Sequence, residues 1–345
     1  MTKNKRILIV EVNWLGDVLF STPAIRALKE IYPDSYIGAL VHKRCKEVLL
    51  ENPVINEIIV LDEEGRHRGF WGKVRLIREL RIKKFDTAYL FHRSFTRALI
   101  CLLGGISNRI GYYVRKRRLL LTQNITVPLT GIHRAVYYYY LVSGKIPEDI
   151  SKLKCDFVIG NKDELYVDEL LRRENVKSDK RLVVIHPAGN WLPKRWPKEN
   201  FAELADTLID KFGVALAFSG HRQEQDVLTG ILSLMKNKPI NLCGKTTLKQ
   251  LGALFKRADL VISADSGPLH IAVALQRPTV AIFGPTSVGI TGPLQKEDVA
   301  ILQKTAGCII PCYEQGCKDN RCMKIIGVAD VLDCIEKRKW LIREK

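Results

Sequence analysis

The segment Ala264-Asp265-Ser266-Gly267-Pro268-Leu269-His270-Ile271-Ala272 constrains this chain most. It follows a mainly apolar run, 258–263, and leads towards another, 279–283. The order is strand, polar turn, helix start, strand. A turn of this kind in an α/β sheet presents free backbone N–H groups to a phosphate. Asp265 and Ser266 both suit a helix cap, and Gly267 lets the backbone approach a ligand closely. The next strand ends in Gly284-Pro285-Thr286, a second polar turn on the same sheet edge. One such turn reads as a capped strand–helix junction. Two side by side predict a nucleotide diphosphate pocket.

The N-terminal stretch carries a matching pattern. Residues 6–12 are apolar and rich in β-branched side chains, as a buried strand requires. Asn13-Trp14-Leu15-Gly16-Asp17 follows, then a helix from about residue 21 with Pro23 in its first turn and Ile25 and Leu28 on one face. Gly16 and Asp17 are thereby expected on the loop at the carboxyl edge of the first strand, where open α/β sheets place their sites. Neither G-x-G-x-x-G nor G-x-x-x-x-G-K-[ST] occurs there. For Asp17 the residues leave two roles open, helix cap and general base.

Alternating patterns extend this to an α/β architecture. Strands are expected at 6–12, 36–40, 57–61, 86–91 and 124–127, with helices at 21–31, 43–50, 71–83 and 94–103. A second round starts near Arg181, with strands at 182–185, 214–218, 239–242, 259–263 and 279–283 and a helix at 198–211. A length of 345 residues suits two such domains. They are expected at 1–165 and 166–327.

The net charge of +18 implies an anionic partner. The excess is denser in residues 1–150, with 25 basic to 14 acidic residues, than in the remainder, with 30 to 23. No helix-turn-helix, RNP or zinc-finger signature points to nucleic acid. No secretory signal is visible, and the apolar stretch 98–106 is short of a membrane span. A cytoplasmic protein resting on a membrane surface is expected. Of nine cysteines, Cys308, Cys312, Cys317 and Cys322 cluster, without the paired C-x2-C knuckles of a zinc ribbon. No D-x-D occurs in a suitable loop, so a divalent metal is not required.

Four segments in order are similar to the family-9 glycosyltransferases, the ADP-heptose:lipopolysaccharide heptosyltransferases. They are Asn13 to Pro23, His186-Pro187-Ala188-Gly189 with Lys194-Arg195-Trp196-Pro197, Asp265 to His270, and Phe283 to Thr286. Phe85 to Leu90, Phe95 to Ala98, Gly105-Ile106 and Arg109 to Tyr112 look most like the heptosyltransferase II branch. The resemblance implies a GT-B fold, two Rossmann-like domains facing a central cleft, with the closing segment 328–345 returning to the first domain. It implies inverting transfer of heptose from ADP-heptose to the lipopolysaccharide inner core, with no cofactor beyond the donor. Asp17 then matches the family's base, and Lys194 its contact to the donor phosphate. Glu224 resembles the residue that holds the ribose. Asp265, Ser266, Gly267, His270 and Thr286 complete the donor side. Arg66, Arg93, Arg97, Arg115 and Arg117 are the candidates for an acceptor rich in phosphate and carboxylate. The enzyme is expected as a monomer on the inner face of the inner membrane. Transfer of another nucleotide sugar, or non-catalytic binding of an anionic ligand or nucleic acid, are the competing readings of the same charge and turns.

Overall fold

The structure, a computed structural model, describes residues 5–342 except 178, 190, 295, 296 and 315. The chain forms two compact units, one ending at Val158 and the other beginning at Ile159. The first runs β1 (Arg6–Val10), α1 (Leu15–Ile31), β2 (Tyr36–His42), α2 (Lys46–Leu49), β3 (Glu57–Leu61), α3 (Gly69–Lys83), β4 (Thr87–Leu90), α4 (Phe95–Leu103), β5 (Asn108–Tyr112), β6 (Gln123–Ile125) and α5 (Arg134–Ser143). Its six strands are all parallel, in the order β3-β2-β1-β4-β5-β6. Central β1 is buried from Ile7 to Val10, because helices cover both faces of a parallel sheet.

The second unit runs α6 (Asn161–Arg173), β7 (Leu182–His186), α7 (Lys198–Phe212), β8 (Ala215–Phe218), α8 (Gln225–Leu232), β9 (Ile240–Asn241), α9 (Leu248–Arg257), β10 (Leu260–Ala264), α10 (Gly267–Ala274), β11 (Thr279–Phe283), α11 (Val288–Thr291), β12 (Val299–Gln303), α12 (Arg321–Lys324) and α13 (Val328–Lys337). Its strands are again parallel, in the order β12-β11-β10-β7-β8-β9. In each sheet the chain moves outward from its first strand and then returns to that strand's other side. The switch points therefore lie between β1 and β4 and between β7 and β10, where α/β sheets bind ligands.

The α/β class expected from the sequence is what the chain forms, with several differences in detail. Two strands, β5 and β12, are additions. β5 has Arg109 and Gly111 in its five residues and so lacks a continuous apolar run, whereas β12, an edge strand, carries one of only four residues, Val299 to Leu302. Helix α1 starts at Leu15 rather than 21, which places Gly16 and Asp17 in its first turn instead of a loop. Pro23 then lies inside the helix and cannot donate to the carbonyl of Leu19. The Thr22 hydroxyl donates to that carbonyl instead, at 2.8 Å, and the helix continues.

The units divide before α6, because α6 packs against α9. Helix α13 was expected to return to the first domain. Its apolar face, Val328, Val331 and Ile335, is instead buried with Phe201, Leu204 and Leu208 in the core of the second unit. No helix among the described residues is long and apolar enough to cross a membrane.

Candidate active site

At the β1/β4 switch point Asp17 projects from the first turn of α1. The Tyr138 hydroxyl donates to its Oδ1 at 2.9 Å, and Arg134 Nε lies 3.7 Å from the same oxygen. Both partners come from α5, which packs along α1. The N-cap position of α1 is Trp14, without a side-chain cap, so Asp17 does not serve as the cap. Tyr138 is buried, and burial together with the Asp17 carboxylate holds its phenol well above the usual range. It remains a proton donor to Asp17.

The loop that leads into α1 is clamped from β4. Arg97, in α4, donates to the carbonyl of Glu11 and to Asn13 Oδ1, the latter at 2.6 Å. Its guanidinium is buried, 3.6 Å from Glu63. Arg117 is fully buried too, donating to the carbonyls of His92 at 2.5 Å and Tyr112 at 2.8 Å. These two arginines, expected at the acceptor face, are built into the interior instead. Their guanidinium groups donate mainly to backbone carbonyls, those of Glu11, His92 and Tyr112. Arg66, Arg93 and Arg115 do reach solvent. Arg66 pairs with Glu79 at 2.6 Å, and Arg93 donates to the Tyr137 hydroxyl at 2.7 Å while lying against that ring.

Glu11, beneath this loop, is an acid that sequence reasoning missed. It is completely buried, accepts from Ser21 Oγ at 2.8 Å, and burial raises its pKa from 4.5 to about 8. The unfolded chain releases this proton near pH 4.5 and the folded chain near 8. Between those values the folded state holds the extra proton, so stability falls as pH rises through the window. Glu11→Gln should flatten that fall and raise the melting temperature at pH 8 relative to the parent. Parallel melting curves across the window would show Glu11 to be ionised in the fold, contrary to this account.

At the β7/β10 switch point the second unit assembles a charged cluster. Lys194 follows β7 in a short turn, and its Nζ lies 2.7 Å from Asp265 Oδ2. Asp265 follows β10, is buried, and accepts from Thr286 Oγ1 at 2.5 Å. His270 Nε2 is 3.9 Å from the other Asp265 oxygen. Three turns distant in sequence therefore meet on one carboxylate. Ser266 occupies the N-cap position of α10 without a side-chain cap, its Oγ 3.3 Å from Ser263 Oγ. The first N–H groups of α10, from Gly267 onward, have no partner within the helix, and the dipole favours an anion there. Lys194, Asp265, Thr286, His270 and the start of α10 are thus brought together.

Glu224 is placed differently. Its Oε2 accepts the backbone N–H of His221 at 2.7 Å, in a capping box at the end of β8. His186 beside it is buried, with Nδ1 3.1 Å from Ser219 Oγ, and burial lowers its pKa.

The cysteine segment braces the turns that carry Thr286 and Lys194. Cys312 N donates to Pro285 O at 2.7 Å, and Asn320 Nδ2 to Arg195 O at 3.1 Å. Gln303 Nε2 adds bonds to the carbonyls of Gly284 and Thr286, at 3.1 and 2.7 Å. At Gly284 a Cβ would stand 2.4 Å from Met323 Sδ, so a side chain there would require Met323 to shift. Among the described residues no group of three or more His, Cys, Asp or Glu is arranged to hold a metal ion, Cys308, Cys312, Cys317 and Cys322 included.

Two parallel sheets, each with polar side chains gathered at its switch point, define a transferase of the GT-B class. The chain belongs to glycosyltransferase family 9 (heptosyltransferase), whose model matches residues 73–322. It is 29% identical over 303 residues to lipopolysaccharide heptosyltransferase 2 of Salmonella typhimurium strain LT2, covering 84% of this chain and 85% of that protein. It is 28% identical over 321 residues to lipooligosaccharide heptosyltransferase 2 of Haemophilus ducreyi, covering 88% and 90%. Among solved structures it is similar to E. coli ADP-heptose LPS heptosyltransferase II, with a TM-score of 0.81 at 26% identity over 98% of both chains. A family 9 glycosyltransferase from Veillonella parvula shares the fold, with a TM-score of 0.87 at 23% identity over 100% of this chain and 99% of that one.

Proposed function

We propose that this transferase moves a heptosyl group from ADP-heptose to the lipopolysaccharide inner core, with inversion at the anomeric carbon. The observation that carries this reading is the meeting of Lys194, Asp265 and Thr286 beside the start of α10, in a chain whose relatives are heptosyltransferases. In the proposed step the acceptor oxygen attacks the anomeric carbon and its proton passes to the Asp17 carboxylate. The bond from that carbon to the phosphate oxygen breaks, and its electron pair leaves with ADP. Lys194 and the N–H groups of α10 meet the charge that grows on the diphosphate. Asp265 holds the Lys194 ammonium in place before the donor arrives. Because the acceptor is anchored in a bilayer, the enzyme meets it at the inner face of the inner membrane, and in this reading it acts there as a monomer.

The test is anomeric. With ADP-heptose and an inner-core acceptor, NMR of the product should show the configuration opposite to that of the donor. Retained configuration would remove the single-step mechanism.

Charge from Lys194 and α10 takes the place that a divalent cation would fill, so turnover should survive exhaustive EDTA treatment and desalting. Loss of activity restored by Mg²⁺ or Mn²⁺ would contradict that assignment.

Tyr138→Phe should lower kcat roughly tenfold and move the acid limb of the pH–rate profile upward, since a donor to the ionised carboxylate favours its charged form. An unchanged profile would separate Tyr138 from the base.

A further inference from the structure

We infer that the outer face of α3, with the aromatic pair at its start, is the surface that seats the enzyme on an anionic bilayer. The inference rests on the proposed membrane-borne acceptor and names the part of the chain that meets the lipid.

Helix α3 turns Gly72, Leu76 and Leu80 inward, onto the sheet. At 100° per residue Trp71, Arg75, Arg78 and Ile82 then share an outward sector of about 60°. All four are exposed, Trp71 by 78% and Ile82 by 79%. Phe70, 71% exposed, lies edge-on to Trp71 with ring centroids 5.4 Å apart. Burying none of this apolar area is costly in water, and a soluble helix does not ordinarily place Trp and Ile at the centre of its wet face.

The charges on this helix select the occupant. Lys73, Arg75, Arg78 and Arg81 share the helix with a single acid, Glu79, which is already paired with Arg66, while Lys83 is paired with Glu57 of β3. Cations alternating with Trp, Phe and Ile match the boundary of an anionic bilayer, where rings enter the headgroup layer and guanidinium groups meet phosphate.

The turn that leads into the aromatic pair is pinned to the fold. His67 N donates to Asp62 O at 2.8 Å, and Asp62 N donates to His67 Nδ1 at 3.2 Å. A Cβ on Gly72 would stand 2.3 Å from the His67 carbonyl carbon, so the turn packs directly against the helix. This turn follows β3, on the same carboxyl edge of the sheet that carries Asp17. An enzyme seated here would hold that edge beside the membrane surface.

The test is flotation of the full-length protein with vesicles of phosphatidylcholine, alone or mixed with phosphatidylglycerol. The parent should float with the anionic vesicles and be released as salt rises. Arg75→Gln with Arg78→Gln should weaken that partition about thirtyfold. Phe70→Ser with Trp71→Ser should weaken it on the order of tenfold or more. Both variants should keep the parent's melting temperature and ADP affinity, because these side chains touch neither the core nor Lys194. Flotation of both variants like the parent, or no flotation of the parent, would overturn the assignment. So would tight binding to duplex DNA without flotation, or a dimer in the parent that the variants dissociate with no change in flotation. Failure of the catalytic reading shows elsewhere, as absent transfer by the parent on a soluble acceptor.

Discussion

Asp17→Asn should lower transfer by about 10²–10⁴ while leaving ADP affinity at the parent's value, the usual cost of a lost general base. Asparagine keeps the shape and the acceptor oxygen that Tyr138 engages at 2.9 Å, so the packing of α1 on α5 should survive. What it loses is the capacity to take the acceptor's proton. The proposed donor contacts, Lys194 and Asp265, belong to the other unit and should be unaffected. Single-turnover kinetics and calorimetry separate the two quantities. A folded Asp17→Asn protein with the parent's kcat would show that another group takes the proton.

Lys194→Ala should weaken ADP binding and slow transfer together, the rate by about 10²–10³, as for removal of one group that stabilises developing charge. The contact tightens as negative charge builds on the diphosphate, so kcat should fall as well as affinity. The substitution also strands the buried Asp265 carboxylate 2.7 Å from where the ammonium was. Part of any stability loss belongs to that carboxylate. Asp265→Asn in the same chain should recover melting temperature without recovering rate. Recovery of both would assign Lys194 to the fold alone, as would unchanged ADP affinity and rate in the single variant.

The cluster proposed to bind the donor was legible in the sequence because each of its parts lies in a turn or loop that follows a strand. Lys194 lies in the loop after β7, Asp265 follows β10 and Thr286 lies in the turn after β11, and parallel strands bring their carboxyl ends to one edge. The surroundings of Asp17 were not legible in this way. Its partner Tyr138 lies 121 residues further on, in a run of four tyrosines that reads only as helix core. Nothing local marks which of the four faces the site. Arg97 and Arg117 misled for a related reason. An arginine looks alike in sequence whether it meets solvent or a buried carbonyl, and these two meet carbonyls. The early start of α1 was hidden by Pro23, whose missing hydrogen bond Thr22 replaces. Glu11 sits at the end of an apolar run, and only the fold shows that burial outweighs the Arg97 charge and keeps it protonated.

Mass spectrometry of a defined inner-core acceptor after incubation with ADP-heptose bears most directly on the central claim. The account predicts a product heavier by one heptosyl residue, with ADP released in equal amount, and almost none from Asp17→Asn. An acceptor of unchanged mass beside a product formed from a different nucleotide sugar would contradict it.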